Sequence, residues 1–198
     1  MIDHIIYAAS NLDRAIDDFA TQYGIAPVPG GRHPGFGTRN ALVGLGETMY
    51  LELVGIDAEQ KISAGERLFS IDESTPPRYV AWCARASRPL AQTVTTARAA
   101  GLDLGEIISM SRARPDGGTI AWTMTSPFAD RGGGVLPFYI DWGPAAHPAS
   151  ALPTAISLVS LTAIHPDADR IRAILDALGE TWVGVEAGPA PALRVVLR

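Results

Sequence analysis

Two rhythms of apolar positions alternate along this chain. Asp3 to Ala9, DHIIYAA, is a short and nearly continuous apolar run, which predicts a buried strand. Leu12, Ile16, Phe19 and Tyr23 then recur at helical spacing. Ser10 or Asn11 supplies the N-cap, Asp13 suits the positive end of the helix dipole, and Gly24 ends the helix. A Gly/Pro-rich stretch, Pro27 to Gly37, reads as a connector. Asn40 to Leu45 and Met49 to Val54 predict two strands joined by a turn at Gly46-Glu47.

The pattern restarts after a polar connector that ends in Pro76-Pro77. Tyr79 to Ala84 predicts a strand. Pro89 opens a helix that runs through Leu90, Val94 and Ala97 to Gly101. Ile107 to Ser111, Thr119 to Thr125 and Leu136 to Asp141 predict three strands. A third start appears in SLVSLTAIHPDADRIRAILDALG, Ser157 to Gly179. Shifted by 155, Ile16 falls on Ile171, Phe19 on Ile174, Tyr23 on Leu178 and Gly24 on Gly179. Val183 to Val185 and Leu193 to Leu197 complete a shortened unit. Each helix has an apolar face that needs a sheet, so the units should pack side by side. The expected fold is α+β, with modules at 1–56 and 79–143 and a shortened βαβ-type module at 155–198, all in one compact domain.

Composition narrows the function classes. Of 198 residues 47% are apolar, enough for a core, and 19% are charged, so the chain is not disordered. The net charge of -5 and the lack of any basic block give nucleic-acid binding no support. The one cysteine, Cys83 in YVAWCA, makes neither an internal disulfide nor a cysteine zinc site and reads as a buried small hydrophobe. No apolar run approaches a membrane span, and MIDHIIYAAS has no basic leader. The expectation is a cytoplasmic, soluble protein.

Candidate chemistry starts with GGRHPGFGTRNAL, Gly30 to Leu42. Its glycine spacing fails as a P-loop and as a dinucleotide fingerprint. The glycines instead allow tight turns and close backbone approach, which leaves His33, Arg39 and Asn40 to project. Arg39 and Asn40 should point to opposite faces of a strand, so one of them enters a pocket. No G-x-S-x-G elbow occurs, and Lys61, the only lysine, lies in a polar connector.

The residues DHIIYA, PGGRHPGFGTRNAL, YLELV, RARPDGGTIAW, LPFYIDWG and SLTAIHPD, in this order, span nearly the whole chain. Together they resemble the glyoxalase-like domain family of the vicinal oxygen chelate superfamily, which includes glyoxalase I, extradiol dioxygenases and bleomycin-resistance proteins. The resemblance implies paired βαβββ modules that form a curved mixed sheet with a small-molecule pocket in its concavity. In metal-dependent members it also implies a divalent ion held by first-strand and last-strand residues. Here the first module offers His4 and Glu52, a pair that suits Zn, Fe, Ni or Mn. The second module departs from that pattern: a shift of 78 puts His4 on Trp82, and an indole ligates no metal. Asp141 is one residue out of register with Glu52, so it or His147 is the third-ligand candidate.

Glu52 interrupts an apolar strand, where a carboxylate is costly unless it is paired or bound. Either a pocket role or an arginine partner answers that cost. Arg112 and Arg114 share a strand face and either bind an anionic group or pair with a carboxylate. Trp82 and Trp142 are either pocket walls or core. Two functions stay open. The first is a glyoxalase-like enzyme of lyase, isomerase or dioxygenase type, with Glu52 and His4 catalytic, acting on an anionic or carbonyl-containing molecule. The second is a metal-free protein that sequesters a small molecule, as bleomycin-resistance proteins do. The resemblance also implies a homodimer.

Overall fold

The computed structural model describes residues 1–113, 118–154 and 156–198. The first unit runs β1 (Ile2–Ala8), α1 (Leu12–Tyr23), β2 (Val28–His33), β3 (Thr38–Gly44) and β4 (Tyr50–Ile56). The second runs β5 (Arg78–Arg85), α2 (Leu90–Ala99), β6 (Ile107–Ala113), β7 (Thr119–Thr125) and β8 (Phe138–Asp141). The third is β9 (Leu158–His165), α3 (Ala168–Leu178), β10 (Gly184–Ala187) and β11 (Ala192–Leu197). The fold class is the expected α+β one.

Local chemistry sets the helix ends. The Asn11 side chain accepts the Arg14 N–H at the start of α1, and Gly24 closes it in the left-handed region at φ 69°. Helix α3 repeats the device with Asp167 and Gly179. Strand β2 was hidden in the Gly/Pro stretch. It is an edge strand with a register shift between Pro29 and Gly31, one of the few places where proline fits a sheet. GGRHPGFGTRNAL is therefore a hairpin, with His33 paired across it to Thr38.

The large sheet has the order β2-β3-β4-β1-β5-β8-β7-β6. In each unit the first strand runs parallel to the last, and the two units meet along the antiparallel pair β1 and β5. The edge strands β2 and β6 approach each other, so the sheet curls into a half-barrel. One face carries the helices over Ile5, Leu51, Leu53, Trp82 and Tyr139. The other carries Ile6, Tyr50, Val54, Cys83, Phe138 and Ile140. The third unit's sheet, β10-β9-β11, packs on the helix-bearing face, where β11 meets β5 and α3 meets α2. No helix among the described residues is long and apolar enough to cross a membrane.

A bulge in β1 matters for function. Ile2 pairs with Ala84 and His4 with Cys83, so Asp3 is an extra residue with no partner on β5. The bulge reverses the alternation: Ile2 and Ile5, three apart, both join the helix-side core.

Candidate functional site

Glu52 stands on the concave face of β4 and is 7% exposed. One of its oxygens accepts the Asn40 amide from β3 at 2.5 Å and lies 3.5 Å from His33 Nε2. The other lies 3.6 Å from His4 Nε2 on β1. None of the arginines forms an ion pair with it among the described residues. His33 is fixed through Nδ1 by the Thr38 hydroxyl at 2.8 Å, and its Nε2 lies 3.2 Å from the Asn40 amide nitrogen. His4 is fixed through Nδ1 by Asp3 at 2.8 Å and stacks on Tyr50 at 4.7 Å.

These side chains floor a cavity of about 580 Å³, part of it open to solvent. Its opposite wall comes from the second unit and is apolar: Phe138, Ile140 and Trp142 stand with Met110, Trp122 and Met124. The Trp122 and Trp142 rings are 5.3 Å apart. The cavity's polar groups thus come from the first unit and most of its apolar wall from the second, with Leu68, Phe69 and Pro148 of the connectors completing the apolar lining.

The structure brings together His4, His33, Asn40, Glu52 and Trp142 of the residues singled out in the sequence. Trp82 does not join them. It is fully buried on the helix side, donates its indole N–H to the Val135 carbonyl at 2.8 Å, and meets Trp182 of the third unit edge to face. The shift of 78 had placed Trp82 opposite His4; the bulge at Asp3 changes the parity, and Cys83 takes the concave face. Arg39 also points away from the cavity, paired with Asp13 of α1 at 2.8 Å. Asp141 is exposed and accepts the Gly143 N–H, while Ile140 faces the cavity. His147 touches Asp3 at 3.1 Å rather than Glu52. Of Arg112 only the backbone, paired with Ile120, is described, and Arg114 lies outside the described residues.

Asp3 is the residue that sequence reasoning missed. It is fully buried, and one oxygen accepts from Arg85 at 3.1 Å, Trp142 at 3.0 Å and His147 at 3.1 Å, while the other meets His4. Burial alone would raise its carboxyl. The hydrogen bonds from His147 and His4, and their charge, outweigh burial and hold it well below the usual carboxylate range. The one signal in the sequence was an acid buried beside a histidine in an apolar strand. Burial pushes the Cys83 thiol well above its ordinary value, so it stays protonated and inert.

The donor set does not fit a resident divalent metal. His4 and His33 reach different oxygens of Glu52, so the carboxylate lies between the rings instead of sharing one point with them. The Asn40 amide fills the gap between His33 and Glu52. In the second unit the concave-face positions hold Cys83, Phe138 and Ile140, and this thiol is protonated. Among the described residues no three His, Cys, Asp or Glu side chains are grouped to hold an ion.

The sequence model of a family described as glyoxalase-like domain matches residues 2–179. No curated protein matches the chain. Among solved structures, a hypothetical protein from Staphylococcus aureus is similar over 99% of this chain and 90% of its own, with a TM-score of 0.73 and 16% identity. A methylmalonyl-CoA epimerase from Mycobacterium tuberculosis is 20% identical over 72% of this chain and 88% of its own, with a TM-score of 0.47. A Streptomyces coelicolor methylmalonyl-CoA epimerase in complex with 2-nitronate-propionyl-CoA is 18% identical over 75% and 98%, with a TM-score of 0.48. The first of these likenesses is one of fold alone.

Proposed function

Since the chain belongs to the glyoxalase-like domain family of the vicinal oxygen chelate superfamily, we propose that it is a small-molecule enzyme of lyase or isomerase type. In this reading Glu52 takes a proton from a carbon next to a carbonyl. The observation that carries it is the placing of Glu52 and His4 3.6 Å apart at the polar end of an otherwise apolar cavity. One H–C–C=O unit can touch both groups.

The chain's own residues suit that step. The Asn40 amide, set beside His33, holds one oxygen of Glu52 and leaves the other within reach of His4. The carbon's proton passes to Glu52. The charge that develops on the carbonyl oxygen is met by the Nε2–H of doubly protonated His4, whose positive charge is balanced by buried Asp3. Return of the proton completes an isomerisation; departure of a neighbouring group instead completes an elimination. The apolar wall excludes water and favours a substrate with an apolar or aromatic body. A dioxygenase outcome needs a redox metal, and this donor set gives it no seat. The single buried cysteine supports a cytoplasmic setting.

A second reading has one observation in its favour. The wall of Trp122, Trp142, Met110 and Met124 combines flat rings with adaptable thioethers, which suits a protein that sequesters a drug-like ligand without turnover.

Proton exchange in heavy water separates the two readings without a known substrate. A panel of aryl and alkyl carbonyl compounds is incubated with the protein, and deuterium incorporation is followed by NMR. The enzyme reading expects incorporation above the buffer rate, lost in Glu52→Gln with binding retained. Stoichiometric binding with no exchange in any compound that binds overturns it in favour of sequestration.

A further inference from the structure

A second and larger hollow, about 1460 Å³ and open to solvent, adjoins the cavity. The start of β5, the loop from Pro127 to Gly134 and the start of β11 line it. Phe69 and Pro127 line both spaces, so the groove and the cavity share part of one wall. Phe69 and Ser70 hold φ values of 58° and 50°, a left-handed conformation that non-glycine residues adopt at a cost.

The charge of this groove runs against that of the protein. The chain carries a net charge of -5, yet the groove has Arg78 and Arg131 on its walls and no Asp or Glu. Arg131 is 5% exposed, and no carboxylate lies within 4.0 Å of it or of Arg78 among the described residues. Its neighbour Asp130 turns back to accept the Gly132 N–H instead. Nη1 of Arg131 staples the carbonyls of Ser126, Pro127 and Ala129, which is a structural duty. That duty leaves Nε buried with no partner, and the guanidinium sits 5.3 Å from the centre of the Phe138 ring, itself part of the cavity wall. A loop staple needs three carbonyls; it does not need a second arginine on the same groove or an orphaned N–H. A buried cation without a counter-charge is costly, and an anion arriving from the groove would offset that cost.

We propose that this groove is an anion subsite, in which Arg131 and Arg78 hold a carboxylate or phosphate borne by the ligand whose apolar body fills the cavity. The link to the cavity ligand rests on the proposed function; the anion site itself does not. Carboxylate and phosphate share the chemistry of two or more oxygens facing a guanidinium fork.

The test is NMR of the full-length, isotope-labelled protein at low salt, titrated separately with inorganic phosphate and with acetate. The expected result is a saturable shift of the Arg131 Nε–H and of the Gly133 and Gly134 amides, with the tighter anion naming the group. Arg78→Ala, which leaves the loop staple in place, should weaken binding about threefold. Glu52→Gln should bind the anion unchanged, so failure of the proposed chemistry is read separately. Shifts at exposed arginines alone, or none at Arg131 with either anion, overturn the site. The link is read with a carbonyl compound that enters the cavity: replacing its acid by a methyl ester should weaken binding about tenfold. Equal affinity of acid and ester overturns the link.

Discussion

Asp3 and His4 are consecutive in one β-strand, yet the carboxylate of the first lies 2.8 Å from the ring of the second. A regular strand would send them to opposite faces. The bulge at Asp3 removes that separation, and it also lets the carboxylate gather Arg85, Trp142 and His147. An ionised carboxylate only accepts hydrogen bonds, so Asp3 keeps a proton on Nδ1 of His4 and points Nε2, the donor of the proposed step, at Glu52.

Asp3→Asn should therefore lower kcat by about a hundredfold with a smaller change in KM. The readout specific to positioning is the nitrogen spectrum of the His4 ring. The wild type should show both ring nitrogens protonated at the pH of turnover, as the proposed step requires, and the variant a neutral ring. A fall in kcat with an unchanged ring spectrum would assign Asp3 a purely structural part.

Stability should depend on acid through the same residue. The folded-state pKa of Asp3 is depressed below its ordinary 3.8, so its contribution is complete above that value and fades as pH falls below it. At neutral pH, Asp3→Asn should cost about 3 kcal/mol, because Arg85 and both histidines lose a buried partner. The gap between wild type and variant should narrow below pH 3.8. Denaturant unfolding at several pH values measures it; a gap that widens in acid would contradict the assignment.

Much of this architecture was legible because periodicity survives in the sequence. Leu12, Ile16 and Phe19 declare one helix face, and Ile171 and Ile174 declare another. Glu52 stood out because a carboxylate cannot rest in an apolar strand without partners. What stayed hidden depended on parity and on edges. One bulged residue in β1 moved Trp82 to the helix side and Cys83 to the cavity face, and no local pattern announces a bulge. Strand β2 was hidden by Pro29 and its glycines, which an edge tolerates and a central strand does not.

Trp82 illustrates the consequence. Its ring fills the helix-side core and its N–H satisfies the Val135 carbonyl. Trp82→Ala should cost about 3–5 kcal/mol, and Trp82→Phe about 1–2 kcal/mol. Neither should alter ligand affinity per folded molecule, whereas Trp142→Ala should. Paired unfolding and binding titrations separate the two tryptophans.

Gly30 bears on the site although its own backbone is ordinary. A Cβ there would lie 2.2 Å from the Asn40 Oδ1 and 3.0 Å from its Cγ, so Gly30→Ala must push the amide off Glu52. Turnover should fall about tenfold, as it should in Asn40→Ala. The double variant should be no worse than Asn40→Ala alone, because both changes break one contact. Additive losses would mean that Gly30 acts on something other than Asn40.

Metal content tests the site from another direction. A resident divalent ion would need His4, His33 and Glu52 to turn toward a single point, and for that the Asn40 amide must leave its place between His33 and Glu52. In the arrangement seen here the amide is a hydrogen-bond donor, which competes with a cation for the same lone pairs. Protein purified without chelator or nickel resin should therefore hold well under one divalent ion per chain by mass spectrometry, and a chelator should leave turnover unchanged. Asn40→Ala removes the competing donor and should raise affinity for added zinc above that of the wild type. One tightly held ion per wild-type chain, lost in both His4→Ala and Glu52→Ala, would instead mean that the carboxylate swings to join the two imidazoles. Glu52 would then be a ligand, and the proton would have to pass to another base.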